Sequence, residues 1–328
     1  MLKRIVTDPG VILFGVLYVA GLLTLSRQDS FPISEALTQL VLFGLIFPLL
    51  AWVATRKAAP LAVRGQRTDE PHSSEAAARE GRSQIEMVVL VAYILSLSIY
   101  LIHGPQLIDR LLPTAWDESP QIYFFVNAAR KLVVFVAIPF LIFRAISGYR
   151  WRDYGVSVAA LRELGRSHAL VVVLVSTAFL LFQYFLGSAA APVRGELSGQ
   201  PLALGLILCF VWLAIEAGLV EEFFFRGLVQ WRLSAWFKSE ITAVALMSLI
   251  FGLAHAPGFI FRSSGEVEGL GSSPSVFSAL AYAVVALAPS GILFGVVWAR
   301  TRNLFAVIII HAAGDLLPNV TRFVETWR

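Results

Sequence analysis

The stretch that decides the fold is LALGLILCFVWLAIEAGLVEEFFFR, residues 202–226. Apart from Glu216, every residue before Glu221 is apolar or small, so this segment tolerates lipid. Two adjacent carboxylates, Glu221 and Glu222, then stand close to Arg226. An ionisable side chain in such a place costs roughly 2.5–3.5 kcal/mol on membrane insertion. Three of them so close together indicate a function that needs them.

The composition is that of a membrane protein. The 328 residues are 57% hydrophobic and 15% charged, and the mean hydropathy is +0.74. Soluble domains carry about 25% charged residues. The net charge of +4 does not indicate nucleic acid, because the basic residues lie mostly in short connections between apolar blocks. The single cysteine, Cys209, permits neither an intrachain disulfide nor a cysteine metal site.

Nine apolar blocks predict transmembrane helices. Each is long enough, at about 1.5 Å per residue, to cross a hydrocarbon core of about 30 Å. The predicted fold is therefore all-α, a polytopic transmembrane bundle of eight or nine spans with the polar site on the late helices. The weakest block is the fourth, which Asn127, Arg130 and Lys131 interrupt. The blocks cover residues 11–25, 36–53, 85–102, 124–145, 169–186, 202–226, 241–261, 276–298 and 304–320.

The blocks suggest a division of the chain into N-terminal transmembrane helices, residues 1–200, and a C-terminal core of catalytic type, residues 201–328. Within the first part, residues 56–84 lack an apolar period and are predicted to form a mobile polar connection. Basic residues accumulate in alternate connections, which predicts a cytoplasmic N terminus and an exported C terminus. This pattern favours a bacterial inner membrane.

The first polar cluster lies at the end of the opening stretch. Glu222 and Arg226 are four residues apart, so they share a helix face and can pair. Glu221 is turned by about 100° from Glu222 and faces a different partner. The spacing therefore predicts Glu222–Arg226 as a structural pair and Glu221 as the working carboxylate. The alternative is an ion-pair network that only holds helices together.

Two later spans carry further polar residues. Phe251 and His255 lie one turn apart in one span, and His311 and Asp315 share a face of the last. Either pair alone is compatible with simple hydrogen bonding between helices. Taken together with Glu221, they predict a single buried cavity surrounded by carboxylates and imidazoles.

Such a cavity supports two routes to hydrolysis of an acyl or peptide bond. A carboxylate beside imidazoles activates water as a general base, while a second histidine stabilises the oxyanion. Alternatively, Glu221, His255, His311 and Asp315 hold a divalent metal such as zinc together with a water. The residues alone leave both routes open, and no cofactor is certain.

The three motifs resemble those of the CAAX-protease and bacteriocin-processing family of intramembrane endopeptidases. Glu-Glu-x-x-x-Arg at 221–226, Phe-x-x-x-His at 251–255 and His-x-x-x-Asp at 311–315 follow one another on separate late helices. The resemblance extends over about residues 212–318. It implies an intramembrane peptidase whose partners are the lipid bilayer and a membrane-associated peptide or protein.

The resemblance also implies a role for each motif residue. Glu221 would activate water with help from His255, and Glu222, Arg226 and Phe251 would support them. His311 and Asp315 would form the oxyanion side or hold the nucleophile.

The last motif position departs from the family, which often has Asn where this chain has Asp315. An ionised carboxylate cannot donate to an oxyanion, so Asp315 is protonated, orients His311 or ligates a metal. The residues do not show whether the substrate is prenylated. The alternative function is a transporter, proton-coupled carrier or immunity-type scaffold, because buried Glu and His residues also form proton relays.

Overall fold

The computed structural model describes residues 2–28, 31–58, 60–61, 73–111, 119–187, 193, 200–261, 270 and 274–327. Within these residues all regular secondary structure is helical. Nine long helices, numbered here in chain order, coincide with the nine predicted blocks. They are α1 Pro9–Leu25, α2 Ile33–Ala54, α3 Ser83–His103, α4 Gln121–Ser147, α5 Ala169–Leu186, α6 Ala203–Phe237, α7 Glu240–Ile260, α8 Val276–Thr301 and α9 Leu304–Thr326.

Eight of these helices, α2 to α9, are long and apolar enough to cross a membrane, whereas α1 has 17 residues and is shorter. The prediction of a polytopic helical bundle is confirmed, and the chain is an integral membrane protein. Three short helices complete the described secondary structure, namely Leu2–Val6, Trp151–Tyr154 and Val158–Leu164.

One prediction about the connections needs correction. Residues 73–84 were expected to belong to the mobile connection, but the helix that contains α3 runs from Ser73 to Leu111. Its first turns are rich in Ala, Glu and Arg. These residues have high helix propensity and need no apolar face outside the membrane. The preceding part of the predicted connection, residues 62–72, lies outside the described residues.

The chain folds into two compact units that are interleaved along the sequence. The first unit comprises Met1–Trp52 and Leu228–Ala299, and the second comprises Val53–Gly227 and Arg300–Arg328. These boundaries describe packing alone. The predicted division near residue 200 concerns the location of catalysis and stays a prediction.

In the first unit, α1 packs against α7 and α8. Asp8 joins the beginnings of α1 and α7. Its Oδ1 accepts from the backbone N–H of Gly10 at 2.9 Å, and its Oδ2 accepts from the hydroxyl of Thr242 at 2.8 Å. The same carboxylate thus satisfies a free N–H at the start of α1 and contacts the first turn of α7.

In the second unit, α9 is the central helix and packs against α5 and α6. A glycine of α6 permits the close approach, because a Cβ on Gly218 would lie 3.0 Å from the carbonyl oxygen of Ile308. Gly218 precedes Glu221 by one turn, and Ile308 precedes His311 by one turn. The close packing of these two backbones therefore brings the first and third motifs together.

The polar residues of α4 have partners in the second unit. Lys131 forms an ion pair with Glu216 of α6, and the side-chain amide of Asn127 donates to the same carboxylate at 3.4 Å. Arg130 donates to the Asn127 side-chain oxygen at 2.6 Å. These contacts explain how the weakest predicted span accommodates three polar side chains within a helix of 27 residues.

Candidate active site

The two carboxylates of the first motif lie between two wide turns of α6. The backbone of Ala214–Leu219 and of Phe223–Gln230 forms π-helix, and the short segment Val220–Glu222 between them is α-helical. Hydrogen bonds from residue i to i+5 widen a helix and re-aim its side chains, and such turns often occur at functional sites. An angle of about 100° per residue therefore does not apply along this whole segment.

The predicted pair between Glu222 and Arg226 is present. The Arg226 guanidinium donates from Nη1 to Glu222 Oε1 at 3.0 Å, and both side chains are 0% exposed. Phe225 contributes an aromatic ring 5.8 Å from the guanidinium carbon. A fully buried charge needs such a partner because the interior solvates it poorly.

The same glutamate also holds the histidine of the last motif. Nδ1 of His311 lies 2.5 Å from Glu222 Oε1, and the His311 side chain is 5% exposed. A carboxylate accepts a hydrogen bond only from Nδ1–H, so this contact sets the ring orientation and directs Nε2 to the opposite side. Glu222 is therefore the link between Arg226 on its own helix and His311 on α9.

Nε2 of His311 faces the other two carboxylates. Asp315 Oδ2 lies 3.2 Å away and Glu221 Oε2 lies 3.9 Å away. Exposure rises along this series, from 0% at Glu222 to 17% at Glu221 and 39% at Asp315. The arrangement thus has a buried support side, formed by Glu222 and Arg226, and an accessible side, where Glu221 and Asp315 face the imidazole.

The second motif lies in the first unit. His255 follows the last residue of the helical segment Glu240–Ala254, and its Nδ1 lies 2.8 Å from the carbonyl oxygen of Phe251. The ring centroids of Phe251 and His255 are 4.9 Å apart. A carbonyl accepts only from Nδ1–H, so the neutral ring carries its lone pair on Nε2. The predicted convergence of His255 with Glu221 stays a prediction, because the two residues belong to different units.

Comparison with known families agrees with the motifs. Residues 201–317 match the model of a family described as type II CAAX prenyl endopeptidase Rce1-like. Over these residues the chain is similar to that family. The resemblance drawn from the motifs is thereby confirmed, and it indicates a membrane protease. No curated protein and no solved structure matches the chain.

The Rce1-like segment contains all three motifs, but the residues described within it do not favour the metal alternative. Among the described residues of the chain, no three or more His, Cys, Asp or Glu side chains are grouped as a metal site requires. His311 also has Nδ1 bonded to Glu222, so only Nε2 faces the accessible side. The metalloprotease interpretation gains no support from these donors.

The contact between Glu222 and His311 was not predicted. Sequence spacing identified both residues but paired Glu222 only with Arg226. The signal in the sequence was the adjacency of Glu221 and Glu222, because two carboxylates of one helix can approach two sides of one imidazole. The close approach at Gly218, which makes this possible, has no signature beyond a small residue in an apolar span.

Proposed function

We propose that the chain is an intramembrane endopeptidase in which Glu221 takes a proton from the attacking water. The observation that carries the proposal is the position of His311 between three carboxylates. Nδ1 is held by Glu222 at 2.5 Å, and Nε2 lies 3.9 Å from Glu221 and 3.2 Å from Asp315. A general base next to an oriented imidazole is an arrangement that supports acyl hydrolysis.

In the first step Glu221 accepts a proton from water as the water oxygen bonds to the scissile carbonyl carbon. The carbonyl oxygen takes up the electron pair and becomes an oxyanion. An N–H or O–H donor positioned in a site of low dielectric stabilises this charge. His311 supplies such a donor when the proton that it shares with Asp315 lies on Nε2.

In the second step the tetrahedral intermediate collapses. The carbon–nitrogen bond breaks, and the leaving nitrogen takes the proton that Glu221 accepted. The products are a new carboxyl terminus and a new amino terminus, and the second proton of the water remains on the former. Glu221 returns to its ionised form, so no group of the protein is consumed.

Asp315 orients His311 in this proposal. Nε2 and Oδ2 at 3.2 Å must have a proton between them, because two lone pairs at this distance repel each other. When this proton lies on Nε2, the N–H bonds to Asp315 and is shared with the oxyanion as the oxyanion forms. Of the three roles that the sequence left open for Asp315, namely a protonated donor, an orienting partner of His311 and a metal ligand, this proposal favours the orienting role.

The substrate that we propose is a peptide or protein held at the membrane. The family match carries the description of a CAAX prenyl endopeptidase, so a prenylated C-terminal segment is the first substrate class to test. We further propose a bacterial inner membrane as the location, and His255 as the residue that assists Glu221.

The proposal is tested with purified protein in liposomes. The probes are a farnesylated fluorogenic peptide that ends in Cys, two aliphatic residues and a variable residue, its unfarnesylated counterpart, and a peptide library analysed by mass spectrometry. Wild-type protein should cleave at least one probe, and Glu221→Gln should lower the rate by about 100-fold or more. Glu325→Gln, an exposed carboxylate of α9, is the matched control and should cleave at the wild-type rate. Cleavage by Glu221→Gln at the wild-type rate would refute the assignment of the base.

A further inference from the structure

The helix that carries His311 and Asp315 contains a proline one turn beyond them. Pro318 lies inside α9 and has no N–H. In a regular helix, a residue at position 318 would donate its backbone N–H to the carbonyl oxygen of Gly314, four residues earlier. The carbonyl oxygen of Gly314, adjacent to Asp315, therefore lacks its usual donor within the helix.

A side chain of another helix provides the missing donor. The side-chain amide of Gln183, on α5, donates from Nε2 to the carbonyl oxygen of Gly314. One turn earlier on α5, the ring of Phe179 packs against Gly314 so closely that a Cβ there would lie 2.7 Å from its Cζ. Gln183 and Phe179 thus both contact α9 at Gly314, the residue directly before Asp315.

The next carbonyl oxygen of α9 also accepts from a side chain. Asn319 donates from Nδ2 to the carbonyl oxygen of Asp315 at 2.8 Å. The carbonyl oxygens of Gly314 and Asp315 therefore both accept hydrogen bonds from amide side chains. Of these two bonds, the one from Gln183 joins two helices and the one from Asn319 lies within α9. Outside lipid a freed carbonyl bonds to water, but inside an apolar span it needs a donor from the protein.

We propose that Gln183 is a positioning residue of the active site, acting through the Gly314 carbonyl on the turn of α9 that carries His311 and Asp315. The effect on catalysis rests on the proposed function. The hydrogen bond between Gln183 and Gly314 does not depend on that proposal. The distances from His311 Nε2 to Asp315 and Glu221 are set by the backbone of this turn. Loss of the Gln183 donor releases that backbone, and the imidazole no longer keeps its place between the carboxylates.

The decisive variants are Gln183→Leu, Pro318→Ala and the double variant. Leucine keeps the approximate volume of glutamine but has no donor, and Pro318→Ala restores the N–H that the Gly314 carbonyl lacks. Gln183→Leu should lower kcat by roughly 10- to 100-fold at an unchanged KM, because small misplacements of catalytic groups have effects of this size. The double variant should recover kcat to within about threefold of wild type, since the restored helix bond replaces the lost one.

The chain offers a matched control for the same kind of bond. Gln121 of α4 donates from Nε2 to the carbonyl oxygen of Thr326, at the other end of α9, at 2.7 Å. Gln121→Leu removes a glutamine-to-carbonyl bond between helices without touching the turn of His311. It should leave kcat unchanged, which separates positioning from a general loss of helix packing.

A second readout does not depend on peptidase activity. The protein has five histidines, and isotope-labelled imidazoles are observed by NMR in detergent, with the His311 signal assigned from its loss in His311→Asn. The His311 signal should shift in Gln183→Leu, return in the double variant and stay in place in Gln121→Leu. Absence of peptidase activity in the wild type would contradict the proposed function and leave this measurement intact.

The inference is wrong if Gln183→Leu has a wild-type kcat and an unshifted His311 signal. It is also wrong if Pro318→Ala fails to rescue Gln183→Leu, because the loss would then arise elsewhere than at the Gly314 carbonyl. If Gln183→Leu does not fold, the double variant still decides the matter, since restoration of the Gly314 bond predicts that it folds with the wild-type His311 signal.

Discussion

Replacing Arg226 by leucine is expected to destabilise the protein more than any other single change in the candidate site. The guanidinium and the Glu222 carboxylate are both 0% exposed and 3.0 Å apart. Removal of one partner of a buried ion pair costs about 3–5 kcal/mol, and here the Glu222 carboxylate would keep only its hydrogen bond with His311. The free energy of unfolding should fall by about this amount, a change of roughly two to four orders of magnitude in the ratio of folded to unfolded protein.

The assay is reversible unfolding of purified protein in mixed micelles with increasing sodium dodecyl sulfate. Lys131→Leu is the control, because its ion pair with Glu216 is 29% and 14% exposed and should contribute less. The double variant Glu222→Met with Arg226→Met removes both charges and should recover most of the lost stability. It should nevertheless stay inactive, because it also removes the acceptor that holds Nδ1 of His311.

Two results would refute this reasoning. An unfolding free energy of Arg226→Leu within about 1 kcal/mol of wild type would mean that water or another group already compensates Glu222. A stable double variant with wild-type activity would mean that the orientation of His311 does not depend on Glu222.

The remaining predictions concern three other positions. Asp315→Asn should retain kcat to within about tenfold, because an amide oxygen still accepts from Nε2–H of His311, whereas Asp315→Ala should lose more; initial-rate kinetics on a probe peptide that the wild type cleaves distinguish the two variants. Gly314→Ala should lower the free energy of unfolding by about 1–3 kcal/mol, since its Cβ would lie 2.7 Å from the ring of Phe179, and a milder loss would show that α5 yields easily. His255→Ala should abolish cleavage while the protein remains folded by circular dichroism; cleavage at the wild-type rate would remove His255 from the mechanism.

The sequence was sufficient to predict the helices because lipid restricts the chain so strongly. A spanning segment must satisfy every backbone hydrogen bond within itself, which leaves helices for apolar blocks of this length. All nine blocks coincide with helices, even the one that Arg130 and Lys131 interrupt. The helix at residues 73–84 was not predicted because these residues lack an apolar period, which a helix outside the lipid does not need.

The site was predictable only where it depends on spacing within one helix. The Glu222–Arg226 pair follows from a separation of four residues, and the structure contains it. The contact of Glu222 with His311 depends on the rotation of α6 against α9, which the π-helical turns on both sides of Glu221 alter. No periodicity in the sequence determines that rotation.

The role of Gln183 could not be predicted from the sequence around it. It is a single amide in the apolar helix α5, and nothing near it in the sequence indicates a role. The signal lay in α9, where Pro318 indicates that the carbonyl four residues earlier needs a donor. Sequence alone indicates that such a donor must exist, but only the packing of α5 against α9 identifies it as Gln183.

The central claim is that Glu221 activates water for peptide hydrolysis, and one experiment tests it against the carrier alternative. Liposomes that contain wild-type protein or Glu221→Gln are given the peptide library and a proton gradient, and cleavage and proton flux are recorded together. The mechanism predicts cleavage by wild type, its loss in Glu221→Gln, and no proton flux above that of protein-free liposomes. Proton flux that depends on Glu221, without any cleavage, would contradict it.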